Sequence, residues 1–171
     1  MGDSEAGGPS ADIYHDVMYY WRFRASALIA MAPTPRKLAK KDFEALSQFR
    51  YQMRRFERFS ERAAQAEGLT PQQYLVLLHI KGVPGRDWAS VGEIAERLQQ
   101  QHHGAVALVT RCEALELVQR RPSEADRRQV EVHLLAKGEK LLARLAELHR
   151  AELRSLEGVF DVPQIDLPDA S

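Results

Sequence analysis

The stretch from Ser90 to Leu134 limits most sharply what this chain can fold into. It opens on Ser90-Val91-Gly92-Glu93, in which a serine hydroxyl can accept from the backbone three residues on while the glutamate reaches back to the serine N–H. Val91, Ile94, Ala95 and Leu98 follow at helical spacing, so a short amphipathic helix starts there. Gln99 to His103, QQQHH, makes a tight polar turn into a second helix, predicted from about His103 to Leu115. LVQRR and QVEVHLL then flank a short polar turn. In the second of these, Val130, Val132 and Leu134 face one way and Gln129, Glu131 and His133 the other, the period of a half-buried strand. Two short helices joined by a tight turn, with a hairpin directly after, is the order of a winged helix-turn-helix.

Longer helices flank this unit. From Lys41 to about Glu67, Phe43, Leu46, Phe49, Met53, Phe56 and Phe59 recur at three and four, with arginines between them, until Gly68 ends the helix. Thr70-Pro71-Gln72-Gln73 is a second capping box with proline at the first helical position, opening a helix to about Lys81. Gly82 to Asp87, GVPGRD, reads as a loop. The last helix, from about Ala136 to Phe160, carries Leu141, Leu142, Leu145, Leu148, Leu153 and Leu156. The chain is therefore expected to be mainly α with a small β-hairpin wing. Residues 1–35 form a flexible tail and an aromatic arm (Tyr14, Tyr19, Tyr20, Trp21, Phe23), and 36–68 a dimerisation helix. Residues 69–136 form the winged helix-turn-helix, and 137–171 a second dimerisation helix and tail.

At 171 residues there is room for one domain with a core and long arms, not for two large domains. The 24 basic and 24 acidic residues cancel, so any case for a nucleic-acid partner rests on local charge. The longest apolar run, Ala25 to Ala32, falls far short of a membrane span, and the lone Cys112 has no intrachain partner; both fit a cytoplasmic protein. No HExxH, CxxC, phosphate loop or nucleophile elbow is present, which argues against an enzyme. The adjacent His102 and His103 diverge on a helix and make a poor metal pair, so no metal or other cofactor is expected.

On a helical wheel from His103, Ala105, Leu108, Val109, Cys112 and Leu115 share an apolar side that would pack on the domain. The opposite side presents His103, Val106, Ala107 and Thr110, with Arg111 at its edge and His102 just before. Small methyl-bearing residues can meet thymine methyls in a major groove, and Thr or His can hydrogen-bond base edges. Such a mostly neutral face would equally suit a partner protein. Between Arg97 and Arg128 lie six arginines against four acids, and four of the six (Arg120, Arg121, Arg127, Arg128) are on the hairpin. Arginine at a hairpin tip is well hydrated and often idle, but it is also the side chain that inserts into a minor groove. Asp126 beside them would pair with an arginine and fix the tip.

GLTPQQYLVLLHI (Gly68–Ile80), SVGEIAERL (Ser90–Leu98), HHGAVALVTRCEAL (His102–Leu115) and DRRQVEVHLLAKG (Asp126–Gly138) together resemble the MarR (multiple-antibiotic-resistance regulator) family of transcription factors over roughly residues 40–155. The resemblance implies a homodimer on a near-palindromic double-stranded operator, with Arg128 in the minor groove, Asp126 positioning it and Arg127 on the backbone. In that frame the DNA-contacting set is His102, His103, Val106, Ala107, Thr110, Arg111, Arg121, Asp126, Arg127 and Arg128. Two departures stand out: Leu135 replaces the family's usual capping threonine, and Glu116 its usual glycine after the recognition helix.

The apolar stripes of both long helices exceed what a winged helix can cover, which argues for exchange between two copies. Family members often sense a small aromatic or anionic effector, for which Tyr51, Arg54, Tyr74 and His79 are of suitable type, although such residues on amphipathic helices are more often core. Cys112 on the apolar side would be an inert thiol rather than a redox sensor. The leading expectation is thus a DNA-binding, ligand-responsive repressor. A winged-helix protein-interaction module that does not bind DNA is the main alternative, and an unrecognised ligand-binding protein or enzyme a third.

Overall fold

A computed structural model of the chain describes residues 38–123 and 129–155. The chain divides into two compact units, Met1–Ala39 with Pro84–Arg86, and Lys40–Val83 with Asp87–Ser171. Every element named below lies in the second. The aromatic arm, the wing tip 124–128 and the chain after Ser155 lie outside the described residues.

The elements run α1 (Lys40–Ala66), α2 (Pro71–Lys81), β1 (Trp88–Ser90), α3 (Val91–Arg97), α4 (His102–Ala114), β2 (Val118–Pro122), β3 (Val130–Leu134) and α5 (Ala136–Ser155). Both capping boxes form. Thr70 Oγ1 accepts from Gln73 N at 3.2 Å while Gln73 Oε1 accepts from Thr70 N at 2.8 Å, and Ser90 with Glu93 repeats the exchange. β2 and β3 form the expected hairpin, joined by a third strand that the sequence reading placed at a loop edge: the sheet order is β1-β3-β2, antiparallel throughout. Three residues are too few to show a period of two, and Ser90 doubles as last residue of β1 and cap of α3.

Helices α1, α3 and α4 end alike. A residue in the left-handed region (Gly68, φ 76°; Gln99, φ 52°; Glu116, φ 57°) turns the chain, and the next N–H bonds back to a carbonyl five residues earlier. Only the first uses glycine. The other two hold a side chain in a conformation that disfavours one, so the packing around them must enforce the turn. Gly138, in the first turn of α5, is required for a different reason: a Cβ there would collide with the Leu117 carbonyl.

The core closes inside the winged helix. Leu77, Ile80, Ile94, Val109, Leu117, Val118 and Val132 are fully buried, each worth about 1.5–3 kcal/mol of apolar burial. The long helices join this core at one end. His149 of α5 stacks on Tyr74 of α2 and meets Phe56 and Phe59 of α1 edge-on, and its Nε2 pairs with Ser60 Oγ at 2.9 Å. Its Nδ1 donates to the Leu145 carbonyl at 2.7 Å. Arg144 bonds Glu67 one level further along. Away from this junction the apolar faces open: Phe43 is 54% and Leu153 56% exposed.

Candidate nucleic-acid interface

Helix α4 divides as its wheel requires. Ala105, Leu108, Val109 and Cys112 are buried, whereas His102, His103, Val106, Ala107, Thr110 and Arg111 are all exposed. The six residues assigned to the reading face thus lie together on one side of a 13-residue helix whose N-terminus has no side-chain cap. Leu115 departs from the expectation. It falls just past the last helical residue, at the turn before Glu116, and is 43% exposed instead of packed down. Its carbonyl accepts from Lys137 Nζ at 2.8 Å, which ties the end of α4 to the start of α5.

The wing strands alternate. Arg121 lies opposite Glu131 and is exposed; Val118 and Arg120 share the inward parity, Arg120 opposite the fully buried Val132. Val130, expected on the inner face, is 43% exposed; it pairs with Pro122 at the far end of the β2–β3 ladder. Asp126, Arg127 and Arg128 lie outside the described residues.

Arg120, one of the four hairpin arginines that the sequence leaves open between idle surface charge and groove contact, is half-buried against α4. Its backbone N–H donates to Glu113 Oε1 at 2.8 Å and its Nη1 to Glu113 Oε2. Its Nη2 donates to the Val106 carbonyl at 3.0 Å and to Thr110 Oγ1 at 3.2 Å. Thr110 in turn donates its hydroxyl to Val106 O at 3.0 Å. The signal was available in strand parity: counting inward from Val118 puts Arg120, not Gln119 or Arg121, on the face that meets α4.

The four residues proposed for an effector do not converge. Tyr51 is 59% exposed on the outer face of α1, with Arg54 paired to Glu57 and Glu61 on the same helix. Tyr74 is buried against His149, and burial raises its phenol pKa. His79, five residues on and so on another side of α2, is half-buried; desolvation and the nearby Arg97 charge lower its pKa. Cys112 is fully buried, and burial pushes its thiol up to about 11 despite Arg111 nearby, so it is protonated and unreactive at neutral pH. Among the described residues no group of three His, Cys, Asp or Glu side chains could hold a metal ion, and no helix is long and apolar enough to cross a membrane.

A model of the MarR family matches residues 67–129, the span from the end of α1 to the wing. The chain is similar in structure to AbsC, a MarR family transcriptional regulator from Streptomyces coelicolor, at 25% identity and a TM-score of 0.62, over 76% of this chain and 87% of that one. It has the same fold as a MarR family protein from Bacillus stearothermophilus, at 22% identity and a TM-score of 0.60, over 72% and 85% of the two chains. It also has the fold of an S. aureus MepR variant bound to an oligodeoxyribonucleotide, at 19% identity and a TM-score of 0.54, over 69% and 81%. No curated protein sequence matches the chain.

Proposed function

We propose that this chain, whose residues 67–129 match a model of the MarR family, is a cytoplasmic, non-catalytic DNA-binding transcriptional regulator. It acts as a homodimeric repressor on a near-palindromic duplex, and a small aromatic or anionic effector releases it. The observation that carries the reading is the split of α4: a fully packed inner side holds rigid an outer side made of His102, His103, Val106, Ala107, Thr110 and Arg111. Small side chains let a helix approach base edges, and the two imidazoles and Arg111 supply polar contacts at its ends. MepR, which shares the fold, is seen on an oligodeoxyribonucleotide.

The dimer is argued from what one copy leaves open. Phe43 and Leu46 on α1 and Leu148 and Leu153 on α5 are exposed, large apolar side chains along both long helices that a second copy would cover. Residues 36–68 and 137–171 are therefore assigned to dimerisation and 69–136 to DNA binding. Two such units place the α4 helices roughly 34 Å apart, one turn of duplex. At the wing, Arg128 enters the minor groove, Asp126 holds it, and Arg121 and Arg127 meet phosphates.

Fluorescence anisotropy with duplex fragments from the source genome at two salt concentrations tests the core of this reading. Sequence-selective binding that weakens steeply with salt supports it. Binding to no duplex at low salt removes it and leaves the protein-interaction module. Arg128→Ala is expected to cost about 1–3 kcal/mol of binding and to lower the salt slope by about one unit; unchanged affinity takes the wing tip out of the mechanism.

A further inference from the structure

We infer that Arg120 is a positioning residue of the reading face, binding the wing to α4 as one body and setting which chemistry Thr110 can offer a base. The inference rests on the assignment of α4 as the reading helix.

Three residues of α4 receive the Arg120 side chain and backbone, and they lie on one ridge of the helix: Val106, Thr110 and Glu113, spaced four and three apart. A single strand residue thus fixes more than a full helical turn. Glu113 is held at both oxygens by two donors of the same residue, so neither its rotation nor a slide of the strand can break one bond and keep the other. The side chains are 26% and 30% exposed, so the pair is less screened than a surface ion pair.

Two consequences follow. The Glu113 carboxylate lies in contact with the Arg120 guanidinium and offsets its charge. Arg120 therefore contributes little to counterion release, unlike an arginine laid on a phosphate. Thr110 has a single hydroxyl hydrogen and it is given to Val106 O, while its oxygen accepts from Arg120. What remains for a base is the methyl and an acceptor lone pair, suited to the thymine methyl or to an amino group of adenine or cytosine. Donation to guanine O6 or N7 would require the Arg120 triangle to open.

The test uses the full chain and a randomised duplex pool, with selection of bound sequences followed by anisotropy on the winner and on a scrambled control. Arg120→Met keeps the aliphatic stem and removes the guanidinium. It is expected to reduce discrimination between winner and scramble about tenfold, with the slope of log affinity against log salt unchanged. Glu113→Gln uncovers the Arg120 charge and is expected to steepen that slope while also losing discrimination. Amide hydrogen exchange without DNA supplies a separate readout: in Arg120→Met the amides from Val106 to Glu113 exchange faster. A slope lowered by about one unit in Arg120→Met makes it a phosphate contact and overturns the inference. Unchanged discrimination and unchanged exchange also overturn it. Failure of the wild type to bind any duplex is the distinct result that removes the DNA reading, and this inference with it.

Discussion

Helices α4 and α1 are both amphipathic, but their apolar sides meet different fates within one chain. The inner side of α4 is sealed: Ala105, Val109 and Cys112 have no exposed surface. On α1 only Gln52, Ala63 and Ala64 are buried, Phe49, Met53, Phe56 and Phe59 are covered in part, and Phe43 at the far end is mostly bare. Helix α4 is part of a closed core, whereas the long helices leave apolar side chains exposed. A protein that must present one face to a groove with fixed geometry needs that face backed by rigid packing, and one that assembles symmetrically needs another face left open.

The largest expected effect tests this division directly. Leu77→Ala empties a fully buried site of α2 and should cost about 2–5 kcal/mol in urea unfolding whatever the protein concentration. Phe43→Ala removes a larger side chain from an exposed site and should cost within about 0.5 kcal/mol for the isolated chain. Its effect should emerge only as weakened self-association, read by sedimentation and by a concentration-dependent midpoint. Equal costs for the two at every concentration would erase the distinction between a closed and an open region.

Much of this organisation was legible before any coordinates, and for identifiable reasons. Capping boxes at Thr70 and Ser90 are local chemistry, so both helix starts were placed to the residue. The α4 face was legible because four buried and six exposed residues obey a single period. What sequence missed depends on contacts between elements. β1 is too short for a pattern and exists because β3 offers it an edge. Arg120 reads as surface charge by type, and only its register against Val132 and its reach to Glu113 reveal it as a brace. Leu115 fits the helical period by sequence, but the helix ends at Ala114 and the chain turns there, which leaves Leu115 exposed.

That turn supplies a smaller test of how firmly the closed region holds its shape. Glu116 sits at φ 57° with its N–H bonded to the Glu113 carbonyl at 2.8 Å. Glycine adopts this conformation freely, so Glu116→Gly should stabilise the protein by roughly 1 kcal/mol, reduced somewhat by the entropy glycine loses on folding. Thermal and urea midpoints measure it. A loss of stability instead would show that the Glu116 side chain contributes more than its backbone costs.

The smallest expected effect is a pH dependence confined to the closed region. Burial and the Arg97 charge both disfavour the His79 imidazolium, so its pKa in the folded protein lies below the 6.5 of an unperturbed imidazole. Above that value neither folded nor unfolded chains carry the proton, and the stability contribution is fully present. As pH falls below about 6.5 the unfolded chain takes up the proton first, and stability declines until the folded-state pKa is passed, where the loss levels off. His79→Gln removes the titration, so urea midpoints measured across mildly acidic pH should fall less steeply in the variant than in the parent. Curves that stay parallel would assign the acid sensitivity to other groups, and His79 would then contribute to the α2 surface without setting its response to protons.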